Sequence, residues 1–203
     1  MDVQLPTSPV PIFPLPGVFL FPHQVLPLHV FELRYRQLVA DLLDGPGRLV
    51  IGAQPIAAPG TLRDVPDVLP VAGFGEILRH EKLPDGRFHI WVLGLARVRI
   101  HEVASDRLYR KVQCEPFVEI DAAAAEAVEL ARRLHAATSA RLKEPLPLPA
   151  SAPPSLLADL LLQTLAAPQS VIERAFAEPS VSTRARLVLR AAARAEKPPT
   201  TEA

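Results

Sequence analysis

The chain is short of the residues on which several kinds of function depend. Cys114 is its one cysteine, so no intramolecular disulfide can form, and a structural zinc site held by two or more cysteines is excluded. The pattern suits a reducing compartment, and Cys114 itself reads as a small buried strand residue. Net charge is also lacking: 22 basic side chains face 22 acidic ones. The balance holds along the chain, with 12 basic and 13 acidic in residues 1–120 and 10 and 9 thereafter. Phosphate neutralisation supplies much of the affinity of a nucleic-acid binder and usually leaves a basic excess, so no nucleic-acid partner is expected. The most apolar stretch, SLLADLLLQTLA (155–166), is too short to cross a bilayer and carries Asp159 and Gln163. The opening MDVQLPTSPV has no basic region leading into an apolar one, unlike a signal peptide. A soluble, cytoplasmic protein without a membrane partner is expected.

Catalytic signatures are missing too. The sequence contains no GxxxxGK[ST] loop to cradle phosphates, no GxSxG elbow and no HExxH pair. His80-Glu81 and His101-Glu102 each begin the last pattern without completing it. The histidines at 23, 29, 80, 89, 101 and 135 show no tight ligand spacing. No catalytic residue, metal or cofactor is therefore assigned.

Proline is abundant, 23 of 203 residues, about twice the usual ~5%. It removes a backbone donor and fixes φ, so its clusters at 6–27, 55–70, 145–154 and the tail punctuate elements. VPIFPLPGVFLFP (10–22) reads as short or edge strands around a turn at Pro16-Gly17. Residues 32–43 read as a helix, with Phe31, Tyr35, Leu38, Val39, Leu42 and Leu43 at helical spacing and Gly45-Pro46-Gly47 as its stop. RLVIGAQPI (48–56) reads as a strand and 57–70 as a surface loop. VAGFGEILRH (71–80) and RFHIWVL (87–93) flank Pro84-Asp85-Gly86, a hairpin signal in which Gly86 supplies a positive φ. Pairing Leu83 with Arg87 sets Ile77 against Leu93, Arg79 against Trp91, Leu78 against Val92 and Glu81 beside His89, the last as a surface polar pair. Gly94 suggests a bulge or bend before the strand ARVRIHEV (96–103); YRKVQCEPF (109–117) gives another.

After Pro116 the composition turns to alanine and leucine. A helix is expected over 121–142, a proline-rich connection over 143–154, then helices at about 153–166, 168–178 and 181–195, and a disordered tail at 197–203. Arg186, Arg190 and Arg194 form a stripe on the last helix, read as a solvated face and otherwise as a dock for an acidic partner. Strands first and helices second argue for an α+β chain in two parts, 1–118 and 119–196.

IFPLPGVFLFP (12–22) followed by LPLHVFELRYRQLV (26–39), and GFGEI followed by KLPDGRFHIWVLGLARVRI (82–100), together resemble the N-terminal substrate-binding domain of Lon proteases. The pieces carrying the resemblance include Pro14, Gly17, Pro22, Pro27, Glu32, Asp85, Gly86, Gly94 and Arg97, which it implies are structural. One departure is His23, where the family commonly has glycine. The resemblance implies a PUA-like β-pseudobarrel followed by a helical bundle. It also implies a free-standing recognition module, since neither the AAA+ motor nor the Ser–Lys protease of Lon is recognisable. Its partners would be unfolded or exposed polypeptide segments or a specific protein. An adaptor in protein quality control is one such role; a PUA-like nucleic-acid binder is the alternative. Glu32 and Arg97, charged residues in apolar surroundings, are expected to meet. The run Val18, Phe19, Leu20, Phe21 is either a buried strand or a partly exposed patch that docks polypeptide.

Overall fold

The computed structural model describes residues 3–55, 67–142, 148–149 and 151–195. Most of the 57–70 loop, half of the 143–154 connection and the 197–203 tail, each read from sequence, lie outside the described residues. The chain divides into two compact units, Met1–Phe117 and Val118–Ala203.

Among the described residues the first unit is built on six strands and one helix: β1 (Val10–Pro16), β2 (Val25–Val30), α1 (Leu33–Leu43), β3 (Arg48–Gln54), β4 (Val71–Lys82), β5 (Phe88–Val103) and β6 (Lys111–Pro116). Their order in the sheet is β2-β5-β4-β3-β1-β6, and β6 also pairs with β5. Five strands thus form a ring, with β2 added outside it on β5. The ring is not a clean barrel, because β1 meets β6 only at Val10–Val112 and Pro11–Lys111. β1 runs parallel to β3, which is possible because β2 and α1 make the crossover between them.

Alternation along the strands separates two cores. Ile12, Val50, Phe74, Val98, Ile100 and Cys114 belong to one. Phe13, Leu49 and Ile51 point the other way and pack with Tyr35, Leu38 and Val39 of α1. β5 serves both cores. Phe88, Ile90 and Val92 join the helix-covered core, whereas Val98 and Ile100 join the other. These positions are all even-numbered, so a regular strand would keep them on one face. A register shift resolves this: Gly75 pairs with Gly94 and Phe74 with Ala96, leaving Leu95 over. The extra residue inverts the alternation.

The two strands expected at 87–93 and 96–103 are therefore one 16-residue strand, bulged next to Gly94 rather than broken there. The hairpin forms where expected, with Leu83 N–H donating to Arg87 O at 2.8 Å and Gly86 at φ 81°. Asp85 braces it, accepting from Arg87 N at 3.0 Å and Arg87 Nε at 2.6 Å; the backbone bond comes first among the causes that hold its carboxyl below its ordinary value. Arg79 opposes Trp91 and Glu81 opposes His89 as read from the sequence, but a second bulge at Leu78 puts Ile77 against Val92, not Leu93.

In the second unit α2 (Ala124–Ser139), α3 (Pro154–Thr164) and α5 (Val181–Ala195) pack on one another, and α4 (Gln169–Phe176) packs on α5. Pro154 sits at the start of α3, where its missing N–H costs nothing. The centre holds a charge. Arg184 of α5 is fully buried, with Nη1 2.7 Å from Glu119 Oε1 and 3.1 Å from the Glu178 carbonyl oxygen, and Nε 3.6 Å from Asp159 Oδ1. It ties the segment before α2, the helix α3 and the α4–α5 turn to α5. Strands plus helices make the fold class α+β.

Candidate protein-binding face

The apolar run at 18–21 is buried, but not as a strand. Phe19, Leu20 and Phe21 are at most 7% exposed and Val18 is partly covered. The segment is irregular and lies across the sheet where three glycines admit it. A Cβ on Gly73 would collide with the Leu20 carbonyl oxygen, one on Gly75 would come within 2.7 Å of a Leu20 methyl, and one on Gly94 would collide with the Phe21 carbonyl oxygen. Gly94 also exchanges backbone bonds with the following turn, donating to Gln24 O and accepting from His23 N, each at 2.8 Å. A peptide cannot dock on side chains that already fill this trough, so the reading of Val18–Phe21 as an exposed patch is corrected. At the end of the trough His23 adopts φ 64°, a left-handed conformation that glycine enters without strain.

Glu32 and Arg97 do not meet either. Glu32 stands at the N-cap of α1, on the surface, and pairs with Arg34 at 2.7 Å. Arg97 is buried in β5 opposite Gly73, its guanidinium 5.6 Å from the centre of the Phe21 ring. A local partner in water spares the carboxylate the desolvation that a buried pair would cost. Of the remaining residues read as structural, Pro14 is buried in β1 opposite Gly52, Gly17 turns at φ 66°, Pro22 precedes the His23 turn and Pro27 lies in β2.

β2 is what sequence reading missed. Its burial alternates, with Val25, Pro27 and His29 exposed and Leu26 and Leu28 half-buried. Directly opposed residues share a face. Val25 opposes Leu93, Pro27 opposes Trp91 and His29 opposes His89; on the far side of β5, Leu93, Trp91 and His89 oppose Glu76, Arg79 and Glu81. The outer face thus carries an apolar and aromatic strip on β2 and β5, rimmed by charge on β4. Phe31 extends the strip, its ring 5.9 Å from that of His29, which in turn lies 5.0 Å from His89. Phe31 is 61% exposed and Leu33, which opens α1, 71%. Arg79 stacks over Trp91 at 4.9 Å, and Glu81 lies 3.9 Å from His89. Large apolar groups left in water side by side are costly unless something covers them.

Among the described residues no three His, Cys, Asp or Glu side chains gather in a way that could hold a metal ion, and no helix is long and apolar enough to cross a membrane. Burial pushes the Cys114 thiol up to about 11, so at neutral pH it is protonated and a poor nucleophile.

An incomplete strand ring with a flanking helix, followed by a unit of helices, is the architecture of Lon N-terminal domains. The N-terminal domain of a Mycobacterium avium complex Lon protease superposes with a TM-score of 0.64 at 18% identity, over 92% of this chain and 98% of that one. A Lon N-terminal domain protein from Xanthomonas campestris gives 0.63 at 20%, over 90% and 98%. The chain belongs to the ATP-dependent protease La (LON) substrate-binding domain family, whose model matches residues 9–194. In sequence it is 32% identical to the Lon protease of Xanthomonas oryzae over 94 residues, 46% of this chain and 11% of that protein. It is 32% identical to the Escherichia coli K12 Lon protease over 100 residues, 48% and 12%. It therefore spans about an eighth of the length of these relatives.

Proposed function

We propose that this protein recognises polypeptides, binding exposed apolar segments of non-native chains on the β2–β5 face without cleaving them or consuming nucleotide. The observation that carries the reading is the strip Val25, Pro27, Phe31 and Trp91, with the exposed Leu33 two residues further along the chain, which leaves apolar and aromatic surface in water on a domain of the substrate-binding family. Side chains rather than a backbone ladder do the recognising. β2 has β5 as its one strand neighbour among the described residues, and Pro27 withholds an N–H from that strand, which blunts it against pairing with other strands. Apolar contact without a fixed hydrogen-bond register tolerates varied client sequences, as a role in protein quality control requires. Affinity is modest, because a disordered client must be ordered as it binds.

Trp91 is the one tryptophan of the chain and lies in the strip, so its emission reports occupancy directly. Titration with a reduced, carboxymethylated and hence permanently unfolded protein should shift the Trp91 emission to the blue; its folded parent should not. A Phe31→Ser/Leu33→Ser protein should bind at least about fivefold more weakly, as when an interface anchor is truncated. Equal indifference to folded and unfolded chains would overturn the proposal. So would degradation of casein by a clean preparation with or without ATP, or salt-sensitive RNA binding in place of peptide binding.

A further inference from the structure

The helical unit carries a second surface of different character. A groove of about 850 Å3 runs between α4 and α5 and under the turn joining α3 to α4. Leu165, Pro168, Val171, Leu187 and Ala191 make its walls apolar, and Arg174, Arg190 and Arg194 line it with positive charge. The three arginines are exposed, and no acidic group pairs with any of them among the described residues. The stripe read along α5 is thereby divided. Arg186 leaves it, bound to Glu126 at 2.7 Å, while Arg190 and Arg194 open onto the groove one helical turn apart and Arg174 of α4 joins them.

We propose that this groove docks an amphipathic helix of a partner protein, its leucine-type side chains against the apolar walls and its acidic side chains toward the three arginines. Three features select a polypeptide over a polyanion. The walls are aliphatic, so a nucleic acid or a phosphate-rich ligand would leave them uncovered, whereas a helix with one apolar stripe covers them. Arg190 and Arg194 stand one helical turn apart on α5, a spacing that matches carboxylates one turn apart on a docked helix. The chain as a whole has no positive excess to draw a polyanion. This site does not depend on the β2–β5 face: a client there meets apolar surface, whereas a partner here is chosen by charge as well.

The test uses the full chain and a fluorescein-labelled helical peptide of about 16 residues with leucines on one stripe and glutamates on both flanks. Saturable binding is expected, weakening as salt rises from low to physiological strength. The exposed double variant Arg190→Glu/Arg194→Glu should keep the parent melting curve, lose at least about tenfold in affinity for the glutamate peptide, and bind the matching lysine peptide instead. The Phe31→Ser/Leu33→Ser protein should bind the glutamate peptide like the parent, which separates this site from the first. The proposal is overturned by no binding, by equal binding of glutamate and lysine peptides, by unchanged affinity in the double variant, or by displacement of the peptide with a single-stranded RNA oligomer at comparable concentration.

Discussion

Removing the buried cation at the centre of the helical unit, with Arg184→Met, should be among the most damaging single changes in this protein. The methionine keeps most of the side-chain volume, so the loss is of charge and hydrogen bonding rather than of packing. Arg184 is 0% exposed and Asp159, 3.6 Å away, is 3% exposed; Glu119, 2.7 Å away, is 30% exposed and can turn to water. Breaking a buried pair on one side costs about 3–5 kcal/mol. The lower end applies here, because Arg184 Nε and Nη2 are buried without a hydrogen bond and their desolvation is already a charge against the parent. About 3 kcal/mol, divided by an m-value of roughly 2 kcal/mol/M, lowers the urea midpoint by about 1.5 M. The assay is equilibrium urea unfolding followed by far-ultraviolet circular dichroism, because Trp91 lies in the other unit. A second variant separates charge from packing. In Arg184→Met/Asp159→Leu the carboxylate that faced the cation is gone as well, and at least half of the lost stability should return, since apolar replacements of a whole buried pair are often neutral. A single variant within about 0.5 kcal/mol of the parent, or a double variant as unstable as the sum of the two singles, would refute the reasoning.

His23→Gly should raise stability by about 0.5–1 kcal/mol in the same titration, because the left-handed φ of 64° costs a non-glycine residue more than glycine loses in unfolded-state entropy; an unchanged or lower midpoint would contradict the assignment. Cys114 should react with iodoacetamide at pH 8 only as fast as the chain unfolds. Its thiol is raised from the ordinary 9.0 to about 11 in the folded state, so between those values the unfolded chain has released a proton that the folded one retains. Stability from this group is then fully present below about pH 9 and lost as pH rises toward 11, and Cys114→Ala should show a smaller fall over that window than the parent.

Where local chemistry decides, the sequence was readable. The hairpin at 83–87, the pairing of Arg79 with Trp91 and the helix at 33–43 follow from a turn motif and one periodicity. What escaped depends on distant partners. β2 contains a proline that reads as punctuation, and its place at the edge of the sheet on β5 accommodates the missing N–H. The run at 18–21 is as apolar as a strand, yet three glycines of β4 and β5 hold it as an irregular lid segment. Gly94 marks a bulge, as read, but the strands expected on either side of it are one, with Leu95 unpaired. The candidate face could not be seen for the same reason: Val25, Pro27 and Phe31 join Trp91 only once β2 is laid against β5. His23 was legible in a different way, since the resemblance marks its position as one for glycine and the backbone there is left-handed.

The closure of the ring has a consequence for how the chain is made. β1 is held on one side by β3 and on the other by β6, and its bond to β6 joins Val10 to Val112, residues about a hundred positions apart. The β4–β5 hairpin can zip up from its turn as β5 emerges, but β1 cannot be locked until β6 has left the ribosome. At roughly 5–20 residues per second, the first strand waits about 5–20 s with an unsatisfied edge. Non-local closure of this kind is also slow in its own right. During its own synthesis the chain therefore passes through a state with an open strand edge of the kind that incompletely folded polypeptides present.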